Sequence, residues 1–325
     1  MERRRFVGAV AGSVAIGHSL ALAQPAGRVY RVGFLLGATR ESVASLFGAL
    51  SEGLRDLGYV EGRNIVIEQR YAGGQVERLP ALAAELVRLK VDVIVTGTNF
   101  HVAAVKGATK TIPVVMVFAS DPVGSGFVES LARPGGNITG LSADASPELW
   151  AKYLALLGEV VPKLTRVGVL GQVASHFGFE DLKTAAQRRG IAVEVADIRS
   201  PDEFNGVFAA MLQKRVDAAV VIVGPVTYQL RQKIGEATLK HRLPAITNLS
   251  EYAQAGLLMS YGPNLLDLYR RAASYVDKIL RGARPGDLPV EQPERFELTL
   301  NLRAAKALGV NIPPSLRLLA VDVIE

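Results

Sequence analysis

The chain has 325 residues, with 37 Lys and Arg against 31 Asp and Glu, and it contains no cysteine. The missing cysteine excludes disulfides, cysteine-ligated metals, thiol nucleophiles and the acylated cysteine of a lipoprotein. Of the formal charge of +6, Arg3, Arg4 and Arg5 against Glu2 supply +2, and the remainder, with no long basic block and no basic–aromatic interleaving, is no nucleic-acid footprint.

The first element is an address segment. Arg3, Arg4 and Arg5 form a basic head, and Phe6 to Leu22 is an uncharged apolar or small-residue body that ends in the small-x-small site Ala21-Leu22-Ala23. Residues 1–23 therefore read as a signal peptide, cleaved before Gln24, and the body is short for a bilayer span of about 20 strongly apolar residues. Arg3-Arg4-Arg5-Phe6-Val7 also fits the twin-arginine export pattern. Without a lipoprotein cysteine, the mature product is expected to be a soluble periplasmic protein with no membrane insertion.

From Val29 the chain alternates β-branched runs with amphipathic stretches. Strands are expected at Val29 to Leu36, Asn64 to Arg70, Val91 to Thr96 and Pro113 to Ala119, and helices at Ser45 to Leu57, Leu79 to Leu89 and Ala103 to Thr109. Repeated strand and helix predict a parallel sheet covered on both faces, and near-continuous apolar runs such as Val91-Asp92-Val93-Ile94-Val95 suit strands buried on both sides. Asp121, before Pro122, is placed to cap a helix there or to contact a ligand.

Arg133-Pro134-Gly135-Gly136-Asn137 is a strong turn signal, followed by a strand at Ile138 to Ser142. The rhythm then restarts. Helices are expected at Pro147 to Gly158, Phe179 to Arg189, Pro201 to Lys214 and Tyr228 to Lys240, and strands at Arg166 to Leu170, Ala192 to Ala196, Asp217 to Val223 and Ala245 to Thr247. Two similar α/β units imply two lobes. A further strand at Leu257 to Ser260, a long helix at Leu265 to Arg281 capped by Asn264, and a strand at Phe296 to Leu302 exceed what one linker needs. They are expected to carry the chain back between lobes and to form a hinge beside a cleft.

Several blocks resemble one family: Asp121-Pro122-Val123-Gly124-Ser125-Gly126-Phe127, Leu131 to Gly140, Met259-Ser260-Tyr261-Gly262-Pro263-Asn264 with Tyr269-Arg270-Arg271-Ala272, Asp287 to Pro293 with Phe296-Glu297-Leu298, and Ala307-Leu308-Gly309 with Ile312-Pro313-Pro314. The chain is similar to ABC-transporter substrate-binding proteins, including the tryptophan- and tyrosine-binding members, over essentially the whole mature sequence. The resemblance implies the type I periplasmic binding fold: α/β, with two doubly wound parallel-sheet lobes joined by a multi-strand hinge. The implied lobes are residues 28–141 plus 262–292 and residues 142–261 plus 293–325. It also implies a small-molecule ligand, delivery to the membrane permease of an ABC importer, no enzymatic activity and no cofactor, and a monomer is expected.

Ligands of open parallel sheets bind beyond the carboxyl ends of the strands. The candidate ligand-binding residues are therefore Thr39, Ser42, Thr98, Asn99, Phe100, His101, Ser120 and Asp121 on the first lobe, and Gln172, His176, Phe177, Tyr228, Asn248 and Glu251 on the second. Thr39, Ser42 and Thr98 offer hydroxyls beside helix amides for a carboxylate, with helix capping as their alternative role. Phe100, His101, His176, Phe177 and Tyr228 offer faces for a planar group, with packing beneath their loops as the alternative. Asp121 or Glu251 would meet an amino group. The expected ligand is a small carboxylated solute, an amino acid or aromatic acid. Thr98-Asn99-Phe100-His101 and Gly171-Gln172-Val173 depart from the commonest family loops, a small-residue and proline loop and Trp-Asn-Pro, so no particular amino acid carries over.

Other classes lack their motifs. Gly124-Ser125-Gly126 followed by Glu129 lacks the third glycine of a dinucleotide loop, and there is no Walker sequence and no Gly-x-Ser-x-Gly elbow. His101, His176 and His241 have no second histidine at metal-ligand spacing, so no metal is expected. An exported sensor that docks on a membrane receptor and an exported α/β enzyme are the alternatives.

Overall fold

The computed structural model describes residues 28–143, 147–173 and 178–325. The address segment and the candidates His176 and Phe177 lie outside the described residues. The first lobe is built from β1 (Tyr30–Leu36), α1 (Ala44–Asp56), β2 (Ile65–Tyr71), α2 (Leu79–Arg88), β3 (Val93–Thr96), α3 (Asn99–Ala108), β4 (Val114–Ser120) and β5 (Ile138–Ala143). Its five strands are all parallel, in the order β2-β1-β3-β4-β5. Every residue of β3 is buried, as an apolar strand covered on both faces must be. Gly140 in β5 has φ +130, and a Cβ there would come 2.1 Å from the Met116 carbonyl oxygen. Only glycine lets β5 lie this close to β4 in that conformation.

The second lobe follows with α4 (Pro147–Val160), β6 (Arg166–Gly171), α5 (Phe179–Arg188), β7 (Ala192–Asp197), α6 (Phe204–Gln213), β8 (Ala218–Val221), α7 (Pro225–Gln229), α8 (Arg231–Lys240), β9 (Ala245–Thr247), α9 (Ser250–Gln254) and β10 (Met259–Gly262). Then α10 (Leu265–Leu280) returns to the first lobe and packs on α1. The chain ends in the second lobe with β11 (Glu297–Asn301), α11 (Leu302–Leu308), α12 (Pro314–Leu319) and β12 (Ala320–Ile324). The seven strands run β12-β11-β10-β9-β8-β6-β7, parallel except for the β10–β11 pair.

Each sheet is covered on both sides. On the first lobe, α2 and α3 cover one face with Leu79, Leu86, Val102 and Val105, and α1 and α10 cover the other with Leu50, Leu54, Leu268 and Ala272. On the second, α4, α5, α11 and α12 cover one face, while α6, α8 and α9 cover the other. The core layers on the α1 and α6 sides are continuous with each other through Leu36, Ala38, Val226 and Tyr228. The lobes thus meet in apolar contact.

Three crossings join the lobes: after β5, between β10 and α10, and from Glu291 into β11. The first and third lie side by side, with Glu291 N–H donating to the Gly140 carbonyl at 3.0 Å and Ser142 N–H to the Glu291 carbonyl at 2.9 Å. Arg271 of α10 forms an ion pair with Glu291. Asn264 caps α10 as expected, its Oδ1 accepting from Asp267 N–H at 3.1 Å. Among the described residues no helix is long and apolar enough to cross a membrane.

Three expectations need correction, and one segment carried no expectation. No helix follows Pro122: residues 122–126 form a turn that Asp121 caps. The segment expected as one helix from Tyr228 starts at Pro225 and breaks after Gln229 into α7 and α8. The third helix begins at Asn99, not Ala103. Finally, β11 is followed by two short helices and an edge strand, too short to carry a periodic signal.

Candidate functional site

In each sheet the order reverses at one place. On the first lobe β1 lies between β2 and β3, and on the second β6 lies between β7 and β8. At such a point consecutive loops turn to opposite faces and leave a crevice beyond the carboxyl ends of the strands. The loops after β1 and β3 therefore face those after β6 and β8 across the gap between lobes.

At the first crevice Gly37 N–H donates to His101 Nε2 at 2.7 Å. The ring proton is then on Nδ1, which faces Thr98 Oγ1 at 3.0 Å and the Thr98 carbonyl at 3.3 Å. Burial without a countercharge lowers the imidazole pKa from 6.5 to about 4, so the ring is neutral at physiological pH. A Cβ on Gly37 would meet Pro225 Cβ at 2.5 Å and His101 Nε2 at 2.8 Å. Glycine at this position lets the two lobes touch.

The other first-lobe candidates bond to their own lobe. Asn99 Nδ2 donates to the Ser120 carbonyl at 2.8 Å and to Ser125 Oγ at 2.9 Å, and Asn99 Oδ1 accepts from Ser120 N–H at 2.7 Å. Asp121, with φ +38, accepts from Gly124 N–H at 2.9 Å. Thr39 Oγ1 and Ser42 Oγ lie 3.1 Å apart, and Ser42 Oγ donates to the Thr39 carbonyl at 2.9 Å. Since α1 starts at Ala44 and is preceded by Val43, these hydroxyls close a turn instead of capping the helix. Phe100 reaches the second lobe: its Cε2 lies 3.8 Å from where a Gly224 Cβ would stand.

On the second lobe the polar groups are less satisfied. Gln172 Oε1, Tyr228 Oη and Glu251 Oε2 are shut off from solvent and make no hydrogen bond of good geometry, Ser45 of the first lobe being the group that approaches Tyr228 Oη; Gln229 Oε1, beside Gly74, is likewise unpaired. Leaving such an oxygen unpaired costs about 1–3 kcal/mol. Burial raises the Glu251 pKa, and its own backbone N–H, the neighbouring Arg231 and the Ser250 hydroxyl partly offset this. Arg231 lies 4.6 Å from the Tyr228 ring centroid, and its Nη1 donates to the Tyr228 carbonyl at 2.9 Å. Burial and the Glu251 carboxylate together push the Tyr228 phenol upward, so it stays protonated. Tyr252 donates to Thr227 Oγ1 at 3.2 Å and stacks edge-on to Tyr228 at 6.1 Å. Asn248 sits at the end of β9, its Oδ1 accepting weakly from Thr247 Oγ1 at 3.4 Å.

Between these loops lies a cavity of about 40 Å³, lined on the first lobe by Leu36, Val43, Leu46, Val117, Phe118, Leu265 and Tyr269, and on the second by Val223, Gly224, Pro225, Tyr228 and Leu249. Thr98 and His101 line it too; Thr39, Ser42, Asn99, Phe100, Ser120, Asp121, Gln172, Asn248 and Glu251 stand outside its wall. Sequence reasoning missed Phe118, Leu265 and Tyr269. Phe118 has φ +67 at a register shift in β4, a strained conformation costing about 1–3 kcal/mol and typical of binding sites. Tyr269 comes from α10, with its hydroxyl 3.3 Å from where a Gly97 Cβ would stand; the helix was legible, but not which of its side chains faces the cleft. Among the described residues no group of three or more His, Asp or Glu is placed to hold a metal.

Comparison with known proteins bears on this site. The family model described as ABC transporter substrate binding protein matches residues 38–324. A tyrosine-binding protein of Clostridioides difficile strain R20291 is 27% identical over 260 residues, 79% of this chain and 74% of the relative. A Streptococcus pneumoniae ABC domain solved with L-Trp superimposes with a TM-score of 0.82 at 25% identity, covering 91% of this chain and 100% of that one. The ligand-free, open structure of a substrate-binding protein with adhesive properties from Clostridium difficile reaches 0.63 at 25% identity, covering 91% and 99%.

Proposed function

The chain belongs to the ABC transporter substrate-binding protein family, and on that premise we propose that it is the soluble periplasmic component of an importer, capturing an amino acid with an apolar or aromatic side chain between its lobes. It is a binding protein and not an enzyme. The observation that carries the proposal is one apolar cavity walled jointly by strand-end loops of both lobes, with Tyr228 of the second lobe in its wall and Gln172 and Glu251 behind it. The L-Trp complex and the tyrosine-binding relative support an aromatic amino acid as the ligand class. Export through residues 1–23, delivery to a membrane permease and a monomeric state are parts of the same proposal. So is the lobe division at 28–141 with 262–292 and 142–261 with 293–325, which the two sheets and the return of α10 support.

The likeness to the L-Trp complex exceeds that to the open structure at equal identity, which supports a closed arrangement of the lobes in this structure. The cavity is enclosed between strand-end loops of the two lobes, so the lobes must part to admit a ligand. Mass spectrometry of the small molecule that co-purifies with the exported protein identifies the ligand. Small-angle scattering should then show the molecule contract from its ligand-free form at saturation, by hinge rotation. Identical profiles with and without a tightly bound ligand would refute closure.

A further inference from the structure

The polar groups around the cleft form two sets. On the first lobe Thr39 and Ser42 bond to each other, Asn99 to Ser120, Asp121 to Gly124, and His101 to Gly37 and Thr98. On the second, Gln172, Tyr228 and Glu251 each carry an oxygen that is shut off from solvent and unpartnered. Tyr228 and Glu251 are neighbours, and Gln172 approaches the Tyr228 helix at Gly224, with Gln172 and Glu251 behind the cavity wall. Tyr228 lines the cavity, Glu251 is close enough to act electrostatically on its phenol, and Gln172 Oε1 points at Gly224, which also lines the cavity, 2.7 Å from where a Cβ would be.

Native proteins rarely leave buried polar atoms unpaired unless a partner from outside the chain completes them. The missing partner has a defined chemistry. A carboxylate only accepts hydrogen bonds, the Gln172 amide presents its carbonyl oxygen, and a phenol accepts as well as donates. The partner is therefore a hydrogen-bond donor, and Glu251 favours one that is positively charged. Opposite this cluster the wall is mainly apolar, formed by Leu36, Val43, Leu46, Val117 and Phe118, with Thr98, His101 and Tyr269 beside them. Neither Lys nor Arg lines the cavity. Arg231, beside the cluster, lies over the Tyr228 ring and donates to the Tyr228 carbonyl.

We propose that the second lobe anchors the ligand by a protonated amino group set among Glu251, Tyr228 and Gln172, while the first lobe takes an apolar body. The ligand class is then an apolar primary amine for which a carboxylate is dispensable. This rests on the cleft being the ligand site. It assigns the amino group to Glu251 and leaves Asp121 as a turn cap.

Calorimetry on the mature protein with three matched probes tests the assignment: tryptamine, L-tryptophan and indole-3-propionate, with the tyramine, L-tyrosine and 3-(4-hydroxyphenyl)propionate series alongside. The amine should bind within about tenfold of its amino acid and the acid about a hundredfold more weakly. Glu251→Gln keeps the side chain's size and removes a buried charge. It should weaken amine and amino acid by about tenfold or more without lowering the melting temperature. An acid that binds as tightly as its amine, an unchanged affinity in Glu251→Gln, or a comparable loss in Asp121→Asn instead overturns the proposal. A different amine recovered from the purified protein is put through the same comparison with its deaminated analogue. Recovery of a tightly bound solute without an amino group overturns the amine assignment and leaves the cleft reading standing. If no small molecule binds or co-purifies, both fall.

Discussion

His101 ties two loops of the first lobe together, and it does so only as a neutral ring, because Nε2 must accept from Gly37 N–H. Its pKa falls from 6.5 to about 4 through burial. Above pH 6.5 the ring is neutral both folded and unfolded, and its contribution is complete. Between pH 6.5 and 4 the unfolded chain takes up a proton that the folded chain refuses, so stability falls on acidification, by at most about 3 kcal/mol. Glu251 runs the other way: its raised pKa contributes on the acid side and is lost as pH rises through the folded value. Melting curves at pH 7.5 and 5.0 should show the parent losing stability on acidification. His101→Gln should be less stable at the higher pH and should show a shallower decline. Parallel slopes would place the acid sensitivity elsewhere. The sequence singled out His101, but as a stacking surface; its lock on an amide 64 residues away was invisible there.

At the scale of elements, strands and helices from Tyr30 to Leu280 were largely legible, because amphipathic periodicity is a local property. The break between α7 and α8 was not, since Gln229 and Leu230 continue the helical pattern in sequence. Nor was the meeting of the β1 loop with α7. Gly37 lies outside the left-handed region, so alanine is tolerated there by the backbone, and its Cβ would press on Pro225 only when the lobes are together. Gly37→Ala should therefore act as a wedge. Ligand affinity is expected to fall about tenfold or more, scattering at saturation should stay close to the ligand-free profile, and the melting temperature should fall modestly, because the same Cβ also meets the His101 ring at 2.8 Å within the first lobe. Full contraction with parental affinity would show that the gap has more room than the closed contact indicates.

For the whole molecule, the proposed route to the periplasm runs through Arg3 and Arg4. Replacing both by Lys is expected to abolish appearance of the mature chain in the periplasmic fraction if the twin-arginine route is used. Undiminished export of that variant would assign the protein to the general secretory route. The sequence by itself determined the α/β class, the two-unit organisation, the return of the chain between lobes and, through its motif blocks, the family. These follow from local periodicity, turn chemistry and chain order, all of which are written residue by residue. Only the tertiary structure decided that Tyr269 and Phe118 wall the cleft, that Asn99 and Asp121 serve their own loops, and that Gln172, Tyr228 and Glu251 are left with unpaired oxygens. Whether a polar atom is satisfied depends on neighbours brought from distant parts of the chain and from the opposite lobe, and no local pattern records them.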